Sequence, residues 1–376
     1  MKYDGSGRLK GTVREMVTIS DIAKASGVTH ATVSRILNNR NKEVWPGAAA
    51  RAERIRQLAR QMGYRPNAAA RSIQSGRTDC LAFVVGVGPP LGMVPPGILN
   101  SLERQFSERG YHFSVVRCPA GDINPDKWPR IFRERLIDGA VLDGWSPIPE
   151  TFITQIQAQR LPVVTIRSKR DRDAVYIDEF NAGRLAAQHL LDLGHRRIAF
   201  IDYGWEGHYE DIDRREGYCA AMRDAGLVPA LHVIPDNVQD AGLVESSYRQ
   251  LEVAERILRA VADRPTAVIA GVAPVARCVQ GAALRSGMQL PRDLSLITFS
   301  DYIVTGAFPI TTLMSDMRDL ADAAAAMLFT KLGEPATNIP SIIHQSKVDD
   351  GRSTAPPSLN GRRKGQSKPA LKPSVA

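Results

Sequence analysis

Val17-Thr-Ile-Ser-Asp-Ile-Ala-Lys-Ala-Ser-Gly-Val-Thr-His-Ala-Thr-Val-Ser-Arg-Ile-Leu-Asn38 decides how the N-terminal part of the chain folds. Thr18 stands just before an apolar-periodic run, with Asp21 three places on, a pattern close to a capping box. A helix is expected from about Ile19 to Ala25. Ser26-Gly27-Val28 breaks it, and Gly27 can take the left-handed conformation that a tight turn between helices needs. Thr29 then caps a second helix running to about Asn38. Ala23, Gly27, Val33 and Ile36 stand at the spacing of a helix-turn-helix: a small residue at the crossing, a glycine in the turn, and two apolar side chains to bury against Ile22.

A third helix is expected from about Pro46 to Met62, with Pro46 tolerated in its first turn and Ile55, Leu58, Ala59 and Met62 on one face. Three helices around so small a core make a DNA-reading module. The second helix presents His30, Ala31 and Arg35 to the major groove, where an arginine can grip guanine O6 and N7, a histidine can donate to guanine or phosphate, and an alanine can meet only a thymine methyl. Thr18, Thr29, Thr32 and Ser34 suit phosphates, which position without specifying.

Charge agrees with this reading. The 376-residue chain carries Lys+Arg 49 against Asp+Glu 40, a formal +9. Residues 1–77 hold fifteen basic residues against five acidic ones, and the stretch from Arg352 adds six basic residues and no acid, so residues 78–351 are net −7. A basic head sits on an acidic body. Such a head can neutralise several phosphates and gain affinity from released counterions.

Other classes fit poorly. Hydrophobic content of 43% excludes wholesale disorder, and four scattered cysteines (Cys80, Cys118, Cys219, Cys278) argue against a disulfide framework or a thiolate zinc site. The uncharged run from Cys80 to Leu102 is rich in Gly and Pro and reads as a buried strand and a loop, not a membrane span. Gly86-Val-Gly88-Pro-Pro-Leu91 imitates the start of a dinucleotide fingerprint but lacks the third glycine. There is no Gly-x-Ser-x-Gly elbow, phosphate-cradling loop or metal spacing among the seven histidines, so no cofactor, metal or catalysis is expected. The N-terminus has no apolar signal region, and a cytoplasmic protein without membrane association is expected.

From Thr78 the chain alternates short β-branched runs with helical stretches: Leu81 to Val87, Phe113 to Cys118, Gly139 to Leu142, Pro162 to Ile166, Ile198 to Asp202, Leu231 to Ile234, Thr266 to Val272 and Leu294 to Phe299. This α/β pattern implies two doubly wound lobes of parallel sheet, with a ligand cleft between them at the carboxyl ends of the strands.

The 17–38 segment, continued by Met62-Gly-Tyr-Arg-Pro-Asn-Ala-Ala-Ala-Arg-Ser-Ile73, resembles the lactose-repressor (LacI/GalR) family, and the likeness extends to about residue 357. The family implies a periplasmic-binding-protein-like body and a homodimer whose heads bind a pseudo-palindromic DNA operator. It also implies a hinge helix that orders in the minor groove and affinity modulated by a small-molecule effector. Asn38, Tyr64, Asn67 and Ala70 join the DNA-facing set on this likeness, and Ile73 stands where the family has a leucine wedge. A ten-residue hinge helix is too short to persist alone, which agrees.

The implied division is a flexible extension (1–16), a helix-turn-helix head (17–65), a hinge helix (66–77), a two-lobed body (78–357) and a disordered basic tail (358–376). Lobe 1 is expected at about 78–176 and 306–335, lobe 2 at about 177–305 and 336–357. Landmarks of the body include Ile177-Asp178, Gly183, Leu193-Gly-His-Arg-Arg-Ile198, Arg214-x-x-Gly217-Tyr218 and Thr311-Thr-Leu313. His195 is expected to be structural, among cations that satisfy a helix C-terminus.

Three departures stand out. Asn39 to Gly47 is longer than the family's connection and lacks its capping serine, with Trp45 either packing there or stacking on the DNA backbone. Arg214 matches the arginine that reaches the effector, but Val272 and Ala273 replace an Asn-Asp pair. Ser300 replaces an aspartate in Thr298-Phe-Ser-Asp301. Two hydrogen-bonding centres for a polyol are therefore absent. The expected effector is poorer in hydroxyls than a sugar, with an anionic one admitted, held by Arg214 with help from Arg167, Trp205 or Asp301. The same departures leave open a DNA-binding protein without a working effector site.

Overall fold

The computed structural model describes residues 17–38, 45–65, 76–86, 94–118, 124–145, 148–204, 207–234, 238–259, 264–301 and 309–358. The N-terminal extension, the hinge residues Asn67, Ala70 and Ile73, Trp205 and the tail from 359 lie outside them. The chain divides into two compact units, Met1–Thr78 and Asp79–Ala376.

In the first unit, α1 (Ile19–Ser26), α2 (His30–Leu37) and α3 (Pro46–Gln61) enclose Ile22, Val33, Ile36, Ala52, Ile55 and Ala59. Thr18 and Asp21 form the expected capping box: the Asp21 N–H donates to Thr18 Oγ1 (3.3 Å) and the Thr18 N–H to Asp21 Oδ2 (2.9 Å). Gly27 closes α1 at φ +67°, a left-handed conformation that costs most residues roughly 1 kcal/mol and glycine almost nothing. Thr29 Oγ1 accepts from Thr32 N–H at 3.3 Å and starts α2. Trp45 precedes α3 without a side-chain cap and is 76% exposed, so it does not pack in the head core.

The second unit contains two six-stranded sheets. The first holds β1 (Cys80–Val85), β2 (His112–Arg117), β3 (Gly139–Asp143), β4 (Val163–Ile166), β5 (Ala174–Ile177) and β11 (Ile342–His344), in the order β11-β5-β4-β3-β1-β2. The second holds β6 (Ile198–Asp202), β7 (Ala230–Val233), β8 (Ala267–Ala270), β9 (Ser295–Ser300), β10 (Thr311–Met314) and β12 (Lys347–Asp349), in the order β12-β10-β9-β8-β6-β7. Among the described residues the named strands pair in parallel except β10 with β12, and an isolated antiparallel bridge joins Arg172 to Pro340.

The longer helices among the described residues are, in chain order, α4 (Pro96–Glu108), α5 (Glu150–Ala158), α6 (Glu179–Asp192), α7 (Tyr209–Asp224), α8 (Val238–Arg259), α9 (Ala273–Arg285) and α10 (Met317–Gly333). They cover both faces of each sheet. In the first lobe α4 and α10 bury Ile98, Phe106, Leu320 and Leu328 against one face, while α5 buries Phe152 and Ile156 against the other. The second lobe repeats the scheme, with α6 and α7 on one face and α8 and α9 on the other.

The expected exchange of segments between lobes is corrected by strand pairing. Residues 309–314 stay in the second lobe because β10 pairs with β9, and 342–344 belong to the first because β11 pairs with β5. The chain therefore crosses between lobes at Asp178, at Ser315-Asp316 and at Gln345-Ser346. These connectors are tied together: Asp178 N–H donates to His344 O (2.9 Å), Asn181 Nδ2 to Gln345 Oε1 (2.9 Å), and the hydroxyls of Ser315 and Ser346 lie 2.8 Å apart.

Candidate functional site

The head offers its exposed polar face along α2. Thr29, His30, Ala31 and Arg35 are exposed, as is Thr18 at the start of α1; Thr32, Ser34 and Asn38 are half-buried on α2. The opposite face carries Val33 and Ile36 into the core. Thr29 and Thr32 share a hydroxyl hydrogen bond at 2.9 Å, and Asn38 Nδ2 donates to Ser34 Oγ at 3.3 Å, so these groups are held in place. Tyr64 packs against the head core beyond α3.

In the body, two glycines set the geometry of the cleft. A Cβ at Gly183 on α6 would collide with the backbone carbonyl of Arg214, and one at Gly217 on α7 with that of Phe180. The two helices therefore cross backbone to backbone, which brings the first turn of α6 against Arg214.

Arg214 is fully engaged there. Its Nε and Nη2 donate to the two oxygens of Glu179 at 2.6 Å each, its Nη1 donates to Gly271 O at 3.2 Å, and its guanidinium lies 4.9 Å from the Phe299 ring centre. Burial raises the Glu179 carboxyl to about 7 even though the Arg214 guanidinium pulls it down. Arg214, expected to hold the effector, is paired within the protein to the carboxylate of Glu179, one residue beyond Asp178.

Arg167, just after β4, is 4% exposed and has φ +54°. Its Nε lies 3.6 Å from Asp143 Oδ1 at the end of β3 and 3.5 Å from Glu210 Oε1 in the first turn of α7. Its guanidinium stands 5.3 Å from the Trp145 ring centre. Asp301, following β9, is partly buried; burial lifts its carboxyl above the usual range, against the pull of Arg167. The same cause lifts Asp143 and Asp211.

His208 caps α7, its Nδ1 accepting from Glu210 N–H at 3.4 Å, so the proton belongs on Nε2. Nε2 then donates across the cleft to Arg167 O at 3.1 Å. Val272 packs against the second lobe's core and Ser300 ends β9, both half-buried.

Among the expected cleft residues, Arg167, Arg214 and Asp301 therefore share one electrostatic neighbourhood. Sequence reasoning missed the carboxylates that set its charge, Asp143, Glu179 and Glu210. Glu210 stands one helical turn before Arg214, a spacing that could have flagged it.

His195 lies apart from the cleft and is buried. Its Nδ1 meets Thr266 Oγ1 at 2.9 Å, while Nε2 meets Ser295 Oγ at 3.0 Å and Ala355 O at 2.9 Å. It is structural, as expected, but for a different reason: it clamps the final segment to β9, and burial keeps it neutral by lowering its pKa.

A capped three-helix head joined to a doubly wound two-lobed body defines a DNA-binding transcriptional regulator. Residues 18–67 match the model for bacterial regulatory proteins of the lacI family, and 187–354 match a periplasmic binding protein-like domain. The catabolite control protein A of Priestia megaterium is 28% identical over 345 residues, covering 87% of this chain and 96% of that protein. The ribose operon repressor of Escherichia coli K12 is 27% identical over 331 residues, covering 85% and 94%. The fold is shared with a lac repressor dimer crystallised with operator and the anti-inducer ONPF, at TM-score 0.74 and 18% identity, covering 91% of this chain and all of that one. The head thus carries the domain of bacterial regulatory proteins of the lacI family, and the chain is similar over most of its length to regulators that carry it. No helix among the described residues is long and apolar enough to cross a membrane.

Proposed function

We propose that this regulator acts in the cytoplasm as a homodimeric repressor without catalytic activity. Its heads read a pseudo-palindromic operator, and its cleft binds a small molecule that changes operator affinity. The observation that carries the reading is the outward face of α2, where His30, Ala31 and Arg35 are exposed while Val33 and Ile36 hold the helix to the head core. Thr18, Thr29, Thr32, Ser34 and Asn38 position the helix on the backbone, joined by Tyr64 and by Asn67, Ala70 and Ile73 of the hinge segment. The cleft supplies the second half, through Arg167, Arg214, Ser300, Asp301 and Trp205, with Val272 shaping its wall. An effector acts only through its different affinity for the two lobe arrangements.

Selection of duplexes from a randomised pool at about 150 mM salt, where the Debye length is about 8 Å, tests the first half. An enriched two-fold palindrome is expected. Survival of unrelated sequences alone would overturn the operator reading.

A further inference from the structure

Around Arg167, among the described residues, the three carboxyl groups of Asp143, Glu179 and Glu210 stand beside two guanidinium groups, those of Arg167 and Arg214. Arg214 is matched by Glu179, with two hydrogen bonds to one carboxylate. Glu210 is shared: Arg167 Nε lies 3.5 Å from its Oε1, Arg214 Nη2 lies 3.6 Å and His208 Nδ1 3.8 Å from its Oε2, and the same Arg167 Nε lies 3.6 Å from Asp143 Oδ1. Arg167 is not well seated. Its Nε lies 3.5 Å from Glu210 Oε1, too far for a good hydrogen bond, and both atoms are buried with no hydrogen-bond partner among the described residues. Glu210 is only 7% exposed, so the orphaned carboxylate oxygen belongs to a shielded site. A buried carboxylate oxygen without a hydrogen bond is unfavourable even in an ion-paired group, and it calls for a donor.

We infer that the effector carries a cationic group, a guanidinium or a protonated amine, and that Arg167 is its internal stand-in between Asp143 and Glu210. This inference rests on the reading of the cleft as an effector site. The ligand's N–H groups donate to Asp143 and to Glu210 Oε1, and its charge offsets the surplus carboxylate. Arg167, on the loop after β4, gives way to it. An anionic ligand meets the opposite situation, because it adds negative charge beside Asp143 and Glu210, the two carboxylates that flank Arg167. A neutral sugar can donate to Glu210 but leaves the charge uncompensated.

The test uses the full chain carrying Arg167→Ala, with ethylguanidinium and its neutral isostere N-ethylurea as probes. Millimolar ethylguanidinium is expected to raise the melting temperature of Arg167→Ala and to bind it about tenfold more tightly than it binds the unmodified protein, where Arg167 competes. N-ethylurea is expected to do neither, and adding Glu210→Gln is expected to abolish the ethylguanidinium response. Should Arg167→Ala fail to fold, Arg167→Gln serves in its place, and calorimetric titration of the unmodified protein with agmatine and with glucose gives the same contrast.

Equal responses to the charged and neutral probes, no response to either, or a response that survives Glu210→Gln overturns the inference. Operator affinity is scored separately. Cation binding that leaves it unchanged supports the cation site and removes the effector reading; a neutral ligand that changes it preserves the effector reading and overturns the cation site.

Discussion

Lys169 of the first lobe reaches Asp213 of the second, Nζ to Oδ2 at 2.7 Å, beside the His208 to Arg167 hydrogen bond. These two contacts latch the lobes across the cleft. Lys169 is 54% exposed, so solvent screens the pair and its loss is expected to lower stability by under about 1 kcal/mol. Its effect on motion is larger. Lys169→Met is expected to speed amide hydrogen exchange in β5 and the first turn of α7 while the urea midpoint barely moves; unchanged exchange there would show that the latch does not hold the lobes.

Glu179 and Arg214 behave oppositely, because both are buried. Glu179→Ala leaves a guanidinium without its carboxylate and is expected to cost about 3 to 5 kcal/mol in urea unfolding. The double variant Glu179→Ala with Arg214→Met is expected to recover most of that. A double variant as unstable as Glu179→Ala alone would place the loss in packing rather than in charge.

The same pair gives a pH dependence. The folded protein holds the Glu179 proton up to about 7, whereas the unfolded chain releases it near the ordinary glutamate value of 4.5. In that window the folded state binds more protons, so stability falls as pH rises from about 4.5 to 7. Asp143, Asp211 and Asp301 are raised by burial and act in the same direction. Glu210 is lowered by Arg167, His208 and Arg214 against its burial, and its contribution is lost only below the ordinary glutamate range. Urea unfolding at pH 5 and pH 7.5 is expected to show the decline, and Glu179→Gln to flatten it.

On the head, Arg35→Ala is expected to relax sequence preference at one operator position, by about 1 to 3 kcal/mol of discrimination, without lowering the head's melting temperature. Thr18→Ala should do the reverse, losing about 1 kcal/mol of helix capping while leaving preference intact. A uniform loss of affinity in Arg35→Ala across all sequences would reassign Arg35 to a phosphate.

The head was legible because its determinants are local. A capping threonine, a glycine in a left-handed turn and apolar side chains at helical spacing each act within a few residues. The long buried strands were legible for a similar reason, since β1, β3 and β6 are nearly continuous apolar runs. β5, β10, β11 and β12 were missed, and with them the true lobe boundary. They are three or four residues long, and β11 and β12 keep exposed side chains, so hydrophobic pattern says little about them. Only pairing decides that His344 and Lys347, three places apart, belong to different sheets.

The cleft was half legible. Arg167, Arg214 and Asp301 could be named from position, but their electrostatic meaning depends on Asp143, Glu179 and Glu210. Those are delivered by one strand end and two helix starts, and the close approach of α6 and α7 at Gly183 and Gly217 brings Glu179 against Arg214.

The three tied connectors carry a mechanical consequence. Between β11 and β12 only Gln345 and Ser346 intervene, a span of about 7 Å when extended. Lobes joined in that way at three points cannot slide or drift apart; they can only swing. Whatever occupies the cleft, the body can pass on its presence as a single quantity, the opening angle, and ligands of unrelated shape become interchangeable to the extent that they set the same angle.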